Sequence, residues 1–175
     1  MIFTLMAWLE QHDKLAGWAQ FSGSILALVV TYFTAFTPMW RRKRQLLNAA
    51  KRLLLNGYEA IESYHRTSAH FLPFPLSVRS AALTMTAVVD ETNRFPIYEL
   101  DDQGSRSVAR HLLAMSGQLN LLAAYLEHMA TELESREATK EDQANIREFV
   151  GGRLEFATAM LSGAKLTRPE WPAAK

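Results

Sequence analysis

Residues 15–40 read LAGWAQFSGSILALVVTYFTAFTPMW, and RRKR follows at 41–44. The first stretch is 26 residues long and carries no charged side chain; four cations then arrive together. A segment of this length with a basic border has the pattern of a transmembrane helix and its cytoplasmic stop signal. Trp18 and Trp40 flank it, 22 residues apart, which at ~1.5 Å per residue is roughly 33 Å. That separation is close to the hydrocarbon thickness of a bilayer, and tryptophan favours both interfaces. Ser22, Ser24, Thr31, Thr34 and Thr37 are compatible with the span, because their hydroxyls can bond to carbonyls one turn earlier.

Orientation follows from the cations on either side. Arg41, Arg42, Lys43, Arg44, Lys51 and Arg52 stand downstream with no acid among them, whereas Lys14 alone stands upstream, with Glu10 and Asp13 beside it. The positive-inside rule then puts the N-terminus outside and the C-terminal part in the cytoplasm. The same six cations can attract anionic lipid headgroups. A cleaved signal peptide would need its cations before the apolar run and small residues after it, and Thr37-Pro38-Met39-Trp40 does not fit. A core helix of a soluble protein is the other competing reading. Residues 1–9 are apolar but too short to span, and are expected in the outer interface with Trp8 as an anchor.

Ala19, Gly23, Ala27, Thr31 and Ala35 recur at four-residue spacing and make a stripe of small residues down one face. Small-xxx-small patterns let two helices approach closely. The stripe therefore suggests a homodimer or a partner helix, although small residues are common enough in spans for it to arise by chance. Pro38 near the inner end predicts a kink.

Past the basic run the pattern is helical throughout. Leu46, Leu47, Ala50, Leu54, Tyr58 and Ile61 predict a helix to about residue 68, which Pro73 and Pro75 end. Val78, Ala81, Ala82, Met85, Val88 and Val89 predict a second helix from about Ser77, as its N-cap, to Thr92. A loop follows at 93–104. Val108, Leu112, Met115, Leu119, Leu122, Leu126, Met129 and Leu133 alternate spacings of four and three, an a/d seam. The seam suits an intermolecular coiled coil or one helix of an intramolecular bundle, and the neighbouring helices favour the bundle. Thr139-x-x-Asp142 reads as a capping box opening a fourth helix, lined by Ile146, Phe149, Val150, Leu154, Phe156, Ala157, Met160 and Leu161. Gly151-Gly152 inside that helix suggests close packing or a weak point.

Chemistry is sparse. There are 0 cysteines, which removes disulfides, thiolate metal sites and cysteine nucleophiles, and a formal net charge of +1 gives no argument for nucleic acid. No phosphate loop, dinucleotide fingerprint, nucleophile elbow or HExxH occurs. Glu62-Ser63-Tyr64-His65 holds one Glu-x-x-His; di-iron bundles use two plus further glutamates. His70, His111 and His128 have no glutamate three residues before them. Glu62 is accordingly expected in solvent, with His65 at the surface. Asp90-Glu91 and Asp101-Asp102 are expected to be solvated pairs beside loops. No catalytic, cofactor or metal residues are assigned.

Trp18-Ala19-Gln20-Phe21-Ser22-Gly23-Ser24-Ile25-Leu26-Ala27-Leu28-Val29-Val30, with the basic helix after it, resembles the opening of small bacterial and prophage-type single-pass inner-membrane proteins that are uncharacterised. The resemblance covers about 18–44. It implies a bacterial inner membrane and brings no activity and no site residues.

The expected architecture is all-α: a short external segment at 1–14, a transmembrane helix at 15–40, a cytoplasmic bundle of about four helices at 41–166 and a flexible tail at 167–175. The expected function is a membrane-anchored, non-enzymatic interaction module, with loops 71–76 and 93–104 free to meet partners. A phage- or toxin-type pore former, lined by Ser24, Thr31 and Thr34, is the alternative. A metal-dependent helical enzyme resting on Glu62 and His65 is the third.

Overall fold

The computed structural model describes residues 13–67, 73–100, 104 and 107–167. Among these the α-helices are four: α1 (Asp13–Thr67), α2 (Phe74–Arg94), α3 (Val108–Ser135) and α4 (Lys140–Gly163). A 3-10 turn at Ile97–Leu100 joins α2 towards α3, and no described residue is in a strand. The chain divides into two compact units, Met1–Arg44 and Gln45–Lys175. The expected segment 1–14 lies almost wholly outside the described residues, as does the tail from 168.

The all-α expectation holds, with one revision of element count. The apolar segment and the first bundle helix are not two helices but one, α1, which contains Pro38. Proline removes a single backbone donor, and the residues after it, Met39 and Arg41 to Leu47, are good helix formers. The α1 assignment accordingly continues through Pro38.

In the first unit every side chain from Gly17 to Arg44 is exposed. In the second, a single core forms from all four helices. α1 contributes Ala50, Leu53, Leu54, Tyr58, Ile61 and Tyr64; α2 contributes Val78, Ala82, Met85 and Val89; α4 contributes Ile146, Val150, Ala157 and Leu161. α3 supplies the central helix. Its seam residues Val108, Leu112, Met115, Leu119, Leu122, Leu126 and Leu133 are all buried, and Met129 partly so. The seam is therefore intramolecular, consumed by packing within one chain.

Several termini differ from the sequence expectation. α2 begins at Phe74 rather than Ser77, with Pro73 at the N-cap position and Pro75 in the first turn. Proline is well tolerated there because those N–H groups have no intrahelical acceptor. Ser77 instead sits inside the helix, its N–H donating to the Pro73 carbonyl at 3.0 Å. Part of loop 93–104 is ordered by the 3-10 turn, which buries Leu100 and leaves Tyr98 fully exposed. Residues 74–76 of the expected loop 71–76 belong to α2, and 71–72 lie outside the described residues. Phe156 points outward, 45% exposed, because Ile146, Val150, Ala157 and Leu161 define the buried line of α4.

The capping box at α4 is present in both directions. The Asp142 N–H donates to Thr139 Oγ1 (3.1 Å) and the Thr139 N–H donates to Asp142 Oδ2 (2.8 Å). Arg136 then donates to both carboxylate oxygens of Asp142, at 2.6 and 2.8 Å, and reaches Glu132 Oε1 at 3.1 Å. These donors hold the Asp142 carboxyl well below the usual carboxylate range, the Arg136 hydrogen bonds first and the Thr139 backbone next. α4 ends in a Schellman motif: Leu166 N–H bonds the Leu161 carbonyl (2.8 Å), Lys165 N–H bonds Ser162 (3.1 Å), and Lys165 takes φ 56°.

Glycine packing corrects another expectation. A Cβ at Gly152 would meet nothing within 4 Å, and one at Gly151 would meet only His65 Cε1 at 3.7 Å. The close approaches are at Gly57, against Met115 and Leu119 of α3, and at Gly163 at the end of α4, where a Cβ would stand 2.6 Å from His111 Cε1.

Candidate functional site

The feature that stands out chemically is the exposed apolar length of α1. Trp18, Phe21, Leu26, Leu28, Phe33, Met39 and Trp40 are each more than half exposed, whereas the second unit leaves only scattered large apolar residues such as Leu83, Tyr98 and Leu113 exposed around a buried core. Among the described residues one helix, within Gly17–Arg66, is long and apolar enough to cross a membrane by length and composition. Isolated exposed apolar residues are ordinary, but a continuous apolar patch marks a surface that something covers.

The serine and threonine hydroxyls of this segment bond to carbonyls of their own helix. Ser22 Oγ donates to the Trp18 carbonyl (2.8 Å), Ser24 to Gln20 (2.9 Å), Thr31 to Ala27 (2.8 Å), Thr34 to Val30 (2.9 Å), and Thr37 to Phe33. Every serine and threonine hydroxyl between 17 and 44 is thus satisfied within the helix. A hydrocarbon environment imposes that condition on polar groups, since it offers no other partners.

The stripe Ala19, Gly23, Ala27, Thr31 and Ala35 lies on this helix with every member exposed, and a Cβ at Gly23 would meet nothing within 4 Å. Trp18 and Trp40 are 69% and 63% exposed at its two ends. Arg41, Arg42, Lys43 and Arg44 form one exposed helical turn, whereas Lys51 is half-buried and Arg52 exposed, already on the bundle.

The Glu-x-x-His pair behaves differently from the expectation. Glu62 is buried, 6% exposed, not solvated: it lies on the inward side of α1, and its Oε1 pairs with Arg66 at 2.8 Å. Its Oε2 has no hydrogen-bond partner, nor do the Tyr64 hydroxyl and His65 Nδ1. Tyr64 and His65 line a small cavity of 90 Å³ with Phe74, Gln143, Ile146, Arg147 and Val150. Burial, with Tyr125 nearby as a second cause, pushes the Tyr64 phenol up to about 12, so it is a neutral donor at physiological pH. Among the described residues no three His, Asp or Glu side chains come together as a metal-binding group. Asp90 and Glu91 are exposed near the end of α2; Asp101, Asp102 and His70 lie outside the described residues.

Sequence reading missed the internal Arg136–Asp142 clasp and the buried state of Glu62. The first had a signal in the capping box itself; the second had one in the spacing from Tyr58 and Ile61, which puts position 62 beside the buried stripe. Comparison with family models, with curated proteins and with solved structures found no match to this chain.

Proposed function

We propose that this protein is a membrane-anchored, non-enzymatic helical interaction module. The apolar part of α1 crosses a bilayer once and the bundle of Gln45–Lys175 is held at the cytoplasmic face, in a bacterial inner membrane. One observation carries the reading: α1 exposes a continuous apolar surface whose serine and threonine hydroxyls bond within the helix, next in sequence to four adjacent cations. The orientation rests on the six cations from Arg41 to Arg52 against Lys14, and the bacterial setting on the resemblance of 18–44. The stripe from Ala19 to Ala35 supports self-association or pairing with another membrane helix.

A non-enzymatic role is supported by how the bundle uses its polar groups. Arg79 pairs with Glu134 and Arg136 with Asp142, while Arg153 donates to Gln118 at 2.7 Å. These groups tie helices to one another. Crosslinking in native membranes followed by affinity recovery tests the reading. A specific partner or a crosslinked dimer above background is expected; recovery of the uncrosslinked monomer alone would count against it.

A further inference from the structure

A groove of 280 Å³ follows one face of α1, lined by Tyr32, Phe33, Phe36 and Trp40 and, beyond them, Arg41 and Arg44. Phe33, Phe36, Trp40 and Arg44 keep the three- and four-residue spacing of a single helical face, and Arg41 lies three residues before Arg44 at its edge. The Tyr32 and Phe36 rings lie 4.6 Å apart with 36° between their planes, and Phe33 meets Tyr32 edge-on at 6.0 Å. The four adjacent cations are not equivalent. Arg42 and Lys43 each have an interaction within the chain, whereas Arg41 and Arg44 are exposed and have no ion pair or hydrogen bond among the described residues.

We propose that this face binds one anionic phospholipid, its acyl chain laid on the aromatic ladder and its phosphate held between Arg41 and Arg44. The inference rests on the membrane-spanning reading and names the lipid class that reading leaves open. Two guanidinium groups one helical turn apart can each fork onto a phosphate oxygen pair, which is stronger and more directional than general attraction to a charged surface. Trp40 stands between the aromatic and cationic parts, where an indole prefers the bilayer interface. General attraction would draw equally on any two of the four cations; a site draws on two in particular.

Trp40 supplies the readout. The other three of the four tryptophans, Trp8, Trp18 and Trp171, are replaced by phenylalanine in the full-length chain, which is reconstituted in vesicles. Phosphatidylglycerol or phosphatidylcholine with brominated acyl chains is then titrated in and Trp40 quenching is followed. The expected result is half-quenching at a mole fraction of brominated phosphatidylglycerol about 10-fold below that of brominated phosphatidylcholine. Arg41→Gln with Arg44→Gln should abolish that preference. Arg42→Gln with Lys43→Gln, which leaves the same four of six downstream cations, should keep it. Equal loss in both double variants, or no lipid preference in the parent, would overturn the site while leaving the span intact. Absence of quenching by either lipid would overturn the span as well.

Discussion

Gly57 of α1 lies against Met115 of α3 so closely that a Cβ at position 57 would stand 2.9 Å from Met115 Cγ and 3.1 Å from Leu119 Cδ1. Met115 and Leu119 are each 1% exposed and have no room to retreat. α1 and α3 are thus in close contact at this point of the core. Overpacking a filled core costs ~1–3 kcal/mol, so Gly57→Leu should lower the melting temperature of the full chain in detergent micelles by several degrees or unfold the bundle. An unchanged melting temperature would show that the contact is slack.

Gly152 makes the opposite case. It is exposed in the interior of α4 with open space at its Cβ position, and glycine there costs about 1 kcal/mol relative to alanine. Gly152→Ala should therefore stabilise the protein by ~0.5–1 kcal/mol, read as a raised denaturation midpoint. Lys165→Gly should do likewise, since the Schellman position at φ 56° strains any residue with a Cβ.

The Asp142 carboxyl, held low by Arg136 and Thr139, makes stability depend on acid pH. Its folded pKa lies below its unfolded value of ~3.9, so its contribution is complete above that value and is lost as pH falls through the folded one. The melting temperature should decline below about pH 4 in the parent. Asp142→Asn should melt lower at pH 7 and show a shallower acid decline. Parallel pH curves for the two proteins would mean that the clasp adds nothing to folding.

Self-association through the stripe has its own test. Gly23→Leu with Ala27→Leu places two large side chains in the middle of the small-residue face, leaving the segment fully apolar. A bacterial two-hybrid signal between two copies should fall several-fold. A signal that persists at parental strength would reduce the spacing to coincidence.

Much of the bundle was readable from periodicity because the core obeys it. Seven of the eight a/d residues of α3 are buried and Met129 is partly so, and the capping box at Thr139 and Asp142 marks the true start of α4. Three features escaped that reading for physical reasons. Pro73-Phe74-Pro75 looks like a helix stop, yet the first turn of a helix tolerates proline. Gly57 carries no side chain and so leaves no mark in a hydrophobic pattern, although α1 packs closely on α3 there. Glu62 is charged and yet buried, which no periodicity of apolar residues announces. On the candidate site, the sequence already held the uncharged run and its basic border; the internal bonding of its five hydroxyls, and the distinction between Arg41 with Arg44 and Arg42 with Lys43, required side-chain geometry.

The absence of native cysteine makes the central claim directly measurable by single-cysteine labelling. Thr31→Cys, in the middle of the apolar segment, and Lys140→Cys, exposed at the start of α4, are placed separately in the full-length chain and treated in spheroplasts with a membrane-impermeant maleimide. If α1 spans the bilayer with the bundle inside, position 31 stays unlabelled before and after permeabilisation, and position 140 labels only after it. Both positions are then labelled once the protein is denatured in detergent. Labelling of position 31 in intact membranes, or of position 140 without permeabilisation, would contradict the account.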